Sequence, residues 1–164
     1  RTSEDVTRAV SACRYPPLGE RGFGPLRPLD YGRKNAIEFC DEADENIMVV
    51  VQIEQAEAVE NIDEIVAVEG LTSLAFGPMD LSASLGHRGQ PGHPAVEEAV
   101  RHVVERAKAA GVATGVSIGS APDSVAQWAD YGLDWICYGV DVTLMIQCFN
   151  NVAAHVRDHV ASPE

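Results

Sequence analysis

Two carboxylates carry the first chemical signal in this chain. Glu54 closes the run Val49-Val50-Val51-Gln52-Ile53-Glu54, and Asp80 closes Leu74-Ala75-Phe76-Gly77-Pro78-Met79-Asp80. Each apolar run reads as a strand buried on both faces, the kind found in parallel sheets. When helices wrap such a sheet, the strand C-termini converge on one rim, and the chemistry collects there. Gln52 lies two residues before Glu54, so the alternation of a strand turns both to one side. A Glu and an Asp meeting on that rim beside a neutral amide offer the oxygen donors that a hard divalent cation takes. The plainer roles are a cap for the next helix at Glu54 and a loop start at Asp80.

Other polar residues compete for attention. Arg21 sits in a Gly-rich loop, where it either contacts an anionic substrate or pins the loop. Gly19, Gly22 and Gly24 open no GxGxxG helix, so they read as turn residues rather than a phosphate cradle. His87 and His93 flank a loop instead of sharing a helix face, which defeats a zinc reading. His93, just before Pro94, reads as a helix-start residue. Asp141 reads as a cap for the last helix. A Schiff-base lysine is disfavoured, since Lys34 and Lys108 both fall in helical patterns away from the strand ends.

The elements that must position these groups follow from periodicity. Thr2 and Asp5 are spaced as a capping box before a helix lined by Val6, Ala9, Val10 and Cys13, which stops ahead of Pro16-Pro17. Residues 14–31 form a loop, and residues 35–45 an acidic helix carrying Ile37, Phe39 and Cys40. Residues 47–53 are a predicted strand, 55–68 a helix closed by Gly70, and 71–76 the next strand. Residues 77–93 read as a second loop. Pro94 suits a first helical position, and Val96, Ala99, Val100, Val103, Val104 and Ala107 make an amphipathic stripe that ends at Gly111. Residues 112–118 are a strand, Ser120 and Asp123 start a helix ending at Gly132, residues 133–140 are the last strand, and 143–160 the last helix.

Strands alternating with helices specify a parallel α/β sheet. Four strands do not close a barrel, and a complete eight-stranded barrel needs about 250 residues. Residues 1–164 therefore read as a single domain, the C-terminal portion of a (β/α)8 TIM-type barrel, with the N-terminal strands missing ahead of Arg1.

Composition narrows the partners. Twelve basic against 25 acidic residues give a net charge of −13, which repels phosphate backbones and anionic membranes, so neither nucleic acid nor membrane is expected. Cys13, Cys40, Cys137 and Cys148 form no CxxC or zinc spacing. Cys137 and Cys148 read as core residues, and reduced thiols suit a cytoplasmic protein.

Several linked segments now carry a likeness. Arg14-Tyr15-Pro16-Pro17-Leu18-Gly19-Glu20-Arg21-Gly22, Val51-Gln52-Ile53-Glu54, Gly77-Pro78-Met79-Asp80-Leu81-Ser82 and Gly89-Gln90-Pro91-Gly92-His93-Pro94 occur in the order found in the HpcH/HpaI aldolase family, which the chain resembles over nearly all its length. The resemblance implies a metal-dependent (class II) aldolase that cleaves 4-hydroxy-2-oxo acids to pyruvate and an aldehyde through a metal-stabilised enolate. It implies Mg²⁺, Mn²⁺ or Co²⁺ held by Glu54 and Asp80, with Gln52 beside the ion. The turn Gly77-Pro78-Met79-Asp80 then holds the keto acid, with the backbone N–H groups of Met79 and Asp80 on its carboxylate. Ser117, near a strand end, would make the aldehyde pocket more polar, and Arg21 is the remaining substrate-contact candidate. The family's catalytic Arg and its acid/base His with an Asp partner fall ahead of Arg1, so no catalytic proton-transfer residue is expected here, and the isolated fragment is expected to be inactive. A homo-oligomer, a hexamer in the family, is also implied. Two alternatives stand beside this reading: a citrate-lyase-β-like acyl-CoA lyase, and a non-catalytic fragment that assembles with full-length subunits.

Overall fold

The computed structural model describes residues 1–119 and 121–161. In chain order these form α1 (Ser3–Cys13), α2 (Ala36–Asn46), β1 (Val50–Ile53), α3 (Ala56–Glu60), α4 (Ile62–Val66), β2 (Ser73–Phe76), α5 (Pro78–Ser84), α6 (Pro94–Ala110), β3 (Ala113–Ile118), α7 (Pro122–Ala129), β4 (Trp135–Tyr138) and α8 (Asp141–Ala161). The strands pair in the order β1-β2-β3-β4, and every pair is parallel. Consecutive strands laid side by side, each followed by helix, make an arc of a (β/α)8-type barrel, as the alternation predicts.

Local chemistry sets the helix ends. The Thr2 hydroxyl accepts the Asp5 N–H while the Asp5 carboxylate accepts the Thr2 N–H, which closes the capping box of α1. At α6, Pro94 takes the first turn, His93 Nδ1 accepts the Ala95 N–H at 3.2 Å, and Gly111 ends the helix at φ 74°. The backbone of Gly111 is left-handed there, a conformation glycine adopts without the cost a Cβ would add. The start expected at Ser120 lies outside the described residues.

The core lies between one face of the sheet and helices α4 and α6. Ile53, Leu74, Phe76, Val116 and Ile118 point into it from the strands, and Ile62, Ile65, Val96, Val100 and Val103 meet them from the helices. Each such burial contributes about 1.5–3 kcal/mol against chain entropy. The opposite, inner face carries the register row Gln52, Ala75, Gly115 and Trp135. Trp135 lays its indole across Gly115, where a Cβ would stand 2.0 Å from the ring. Its Nε1 donates to Ser73 Oγ at 2.9 Å, and Ser73 Oγ in turn donates to the Ala113 carbonyl at 3.0 Å.

Several expectations change. The helix expected over 55–68 breaks into α3 and α4 at Asn61, which leaves helical geometry and donates from its side chain to the Arg1 carbonyl. The loop expected over 77–93 holds a helix, α5, seeded by Pro78 at its first position. The first strand is not buried on both faces, since Val50 and Gln52 are exposed on the inner side. Cys137 and Cys148 are exposed rather than core: Cys137 pairs with Ser117 on the inner face, and α8 buries none of its residues. Among the described residues no helix is long and apolar enough to cross a membrane.

Candidate active site

The register of β1 against β2 builds the site. Ile53 pairs with Phe76, and the next residues along each chain, Glu54 and Gly77, stand at the strand ends. The Gly77 N–H donates to the Ile53 carbonyl at 3.1 Å, and the Ala56 N–H donates to Ser84 Oγ at 2.9 Å. These two bonds fasten the segment bearing Glu54 to α5, which bears Asp80.

Gly77 is where the donors converge. A Cβ on this residue would stand 2.6 Å from Gln52 Nε2, 2.7 Å from Glu54 Oε2 and 2.9 Å from Glu54 Cβ. Only hydrogen leaves space for both side chains. Gly77 also caps α5, and its carbonyl accepts the Leu81 N–H at 2.8 Å. Pro78 has no N–H, while the N–H groups of Met79 and Asp80 in the first turn have no acceptor among the described residues. The turn is held from below by Ser82, fully buried, whose hydroxyl donates to the Met79 carbonyl at 2.7 Å.

An open cleft of about 370 Å³ lies above this turn. Gln52, Gly77, Pro78, Met79 and Asp80 form one side, Ser117, Ile118 and Gly119 of β3 and its C-terminal end another, and Pro91, Ser124 and Trp128 complete the wall over Phe76. Glu54 sits at the edge, against Gly77. The structure thus gathers Gln52, Glu54, Gly77, Pro78, Met79, Asp80 and Ser117, all named from the sequence. Arg21 does not join them. Its guanidinium lies 4.6 Å over the Tyr15 ring and donates to the Cys13 carbonyl at 3.5 Å, so it pins the loop after α1. His87 and His93 stack face to face with ring centroids 3.4 Å apart, an arrangement in which the ring nitrogens do not converge on a shared ion. Lys34 precedes α2 and Lys108 lies in α6, and neither lines the cleft. Asp141 begins α8 and accepts the Val142 N–H at 2.7 Å. Ser124 and Trp128 were not singled out by spacing. The signal was there in their separation of four on α7, which puts them on one helix face.

The donor set suits a hard cation. Neither Glu54 nor Asp80 has a hydrogen-bond or ion-pair partner among the described residues. No three His, Cys, Asp or Glu side chains cluster there either, so a transition-metal cage of protein ligands is not formed by the described residues. Two carboxylates with room beside them match the divalent ions that take the rest of their shell from ligand oxygens and water.

The sequence profile of the HpcH/HpaI aldolase/citrate lyase family matches residues 1–148. The chain belongs to this family. Among its relatives, a hydroxypyruvate/pyruvate aldolase of Pseudomonas aeruginosa is 36% identical over 155 residues, covering 94% of this chain and 57% of that protein. A 2-keto-3-deoxy-L-rhamnonate aldolase of Escherichia coli K12 is 39% identical over 145 residues, covering 87% of this chain and 53% of that protein. The crystal structure of an HpcH/HpaI aldolase from Desulfitobacterium hafniense superposes with a TM-score of 0.84 at 33% identity, over 99% of this chain and 61% of that one. The chain therefore spans little more than half the length of these family members.

Proposed function

We propose that this chain forms the cation- and keto-acid-binding wall of a class II aldolase that cleaves 4-hydroxy-2-oxo acids to pyruvate and an aldehyde. The observation that carries the reading is the arrangement at Gly77: Gln52 and Glu54 packed against it, Asp80 in the first turn of the helix it caps, and, among the described residues, no partner for either carboxylate or for the Met79 and Asp80 N–H groups. The aldolase names of the curated relatives support it and favour it over an acyl-CoA lyase.

Glu54 and Asp80 hold a divalent cation, Mg²⁺, Mn²⁺ or Co²⁺. Bound there, the ion supplies Lewis-acid stabilisation of the charge that develops on the keto acid's oxygen. The chain's own residues orient the substrate. The Met79 and Asp80 N–H groups donate to the keto acid's carboxylate, at a helix terminus whose dipole favours negative charge. The Gln52 amide donates on the other side of Gly77. Ser117 meets the aldehyde portion with a hydroxyl. Phe76, Ile118 and Trp128 exclude water from the wall and so strengthen these polar contacts.

Glu54→Gln and Asp80→Asn test the reading in the active protein. Each is expected to weaken cation affinity and abolish metal-dependent pyruvate release while the circular-dichroism spectrum stays unchanged. Cation affinity and turnover retained in both variants would refute it.

A further inference from the structure

The chain has two tryptophans, and their indole N–H groups are treated differently. That of Trp135 is satisfied by Ser73 Oγ at 2.9 Å. Trp128 is 7% exposed and lines the cleft; its Nε1–H has no protein acceptor among the described residues, and the nitrogen is not sealed from solvent. In the open cleft water can take this hydrogen bond, but a ligand that covers the indole N–H without offering an acceptor forfeits it. One turn earlier on α7, Ser124 lines the same cleft, half-buried, with its hydroxyl likewise unpaired among the described residues. Residues four apart share a helix face, so the two donors stand side by side.

The indole is held in place by its surroundings. Its ring lies 6.1 Å from Phe76 and 5.2 Å from Tyr131, and Tyr131 is covered on its other contact by the Arg101 guanidinium at 4.7 Å. Phe76 belongs to the strand that ends at Gly77. A packed aromatic cluster thus connects the donor wall on α7 to the keto-acid turn, and Trp128 cannot rotate to find another partner without breaking it.

We infer that Ser124 and Trp128 form a specificity-determining wall that binds an oxygen of the aldehyde portion, such as a hydroxyl next to the carbonyl. This rests on the aldolase reading and adds which part of the substrate the enzyme selects. The ligand oxygen takes the place of water at the Trp128 N–H, and an aldehyde without that oxygen leaves the N–H unpaired in a drier cleft. Discrimination by a site built to bond a hydroxyl exceeds what an apolar pocket achieves against the same change.

The test compares lactaldehyde with propanal, which differ by one hydroxyl, as acceptors in aldol addition to pyruvate. The unsubstituted enzyme is expected to prefer lactaldehyde in kcat/KM. Trp128→Phe, which keeps an aromatic ring but no N–H, and Ser124→Ala are each expected to reduce that preference about three- to tenfold, the size of one neutral hydrogen bond. Trp135→Phe is expected to leave the preference as it was. Variants that lose both aldehydes in equal proportion overturn the inference and assign Trp128 to packing alone. If Trp128→Phe does not fold, Ser124→Ala decides by the same ratio. The chain of residues 1–164 alone is expected to turn over neither aldehyde; if it turns over neither when assembled with the remaining strands of the barrel, the aldolase reading falls. Trp128 emission in the Trp135→Phe background, titrated with each aldehyde in the presence of oxalate, then judges the wall separately. A response at lower lactaldehyde than propanal concentration supports it, and equal or absent responses overturn it.

Discussion

Gly77→Ala adds one methyl group at the point where the proposed site is most crowded. The backbone poses no left-handed obstacle, since φ at Gly77 is −106° with ψ 80°. Space resists it. The new carbon would lie 2.9 Å from Glu54 Cβ, against about 3.5–4.0 Å for an unstrained carbon contact, so one of the two must move by roughly 0.6 Å or more. Glu54 Cβ is fixed to the strand end and yields only with the backbone. Gln52 Nε2 and Glu54 Oε2, at 2.6 and 2.7 Å, can swing aside, but only by leaving the positions from which they act. Overpacking of this kind costs about 1–3 kcal/mol, offset by about 0.4–1 kcal/mol from the stiffer unfolded chain. A modest loss of about 0.5–2 kcal/mol in stability is therefore expected. The functional loss is larger, because a displacement near 1 Å in a positioned group lowers turnover about a hundredfold. Calorimetric titration with Mg²⁺ or Mn²⁺, kcat/KM for pyruvate release, and a thermal melt read the three effects. Gly92→Ala is the control: its Cβ would meet nothing closer than Gln127 Nε2 at 3.8 Å, so it should match the unsubstituted protein in all three. Unchanged cation affinity and kcat/KM in Gly77→Ala would refute the reasoning.

Gly115→Ala should displace the Trp135 indole, which a Cβ would approach to 2.0 Å, and break its bond to Ser73. A loss of about 2–4 kcal/mol in denaturant unfolding is expected from overpacking and the orphaned N–H together, and a loss under about 0.5 kcal/mol would contradict that packing. Stability should also fall in alkali. Burial pushes the Tyr15 phenol above its ordinary value of 10.0, and burial, then the nearby Glu97 carboxylate, does the same for Tyr131. The unfolded chain gives up these protons first, so the contribution is complete below pH 10.0 and disappears as pH rises through the higher folded values. Tyrosinate absorbance should show two tyrosines that ionise later in the folded protein than in the unfolded chain, with unfolding following that pair. Tyr15→Phe and Tyr131→Phe variants that leave the alkaline loss of stability unchanged would count against it.

What the sequence made legible follows from period and punctuation. The alternation of strands with helices, the places of Glu54 and Asp80 just past two strands, and the α6 stripe were all readable, because each depends on periodicity or spacing along the chain. The helix α5 was hidden inside Gly77-Pro78, a pair that signals a turn as strongly as it signals a capped first turn; Asp80 three residues after Gly77 was the tie-breaker. Cys137 was misplaced because alternation says which residues share a strand face, not which face meets the core. Arg21 was ambiguous for a related reason: its partner, the Tyr15 ring, is brought over it by the loop's own fold. Trp128 and Ser124 escaped because their role arises only when α7 lies beside the turn after β2.

The donors at Gly77 have a further consequence for how such a chain changes over time. Gln52, Glu54, Gly77 and Asp80 are spaced by the hydrogen-bonded register of β1 on β2, a pattern of backbone atoms that most side-chain replacements leave intact. The wall from α7 and the loop carrying Pro91 are spaced by side-chain packing instead. Inheritance can therefore conserve the half of the site proposed to activate a keto acid while drift in two peripheral segments retunes what it is joined to. One strand pairing acts as the fixed jaw of a vice whose other jaw is adjustable, so new acceptors become reachable without renegotiating the chemistry.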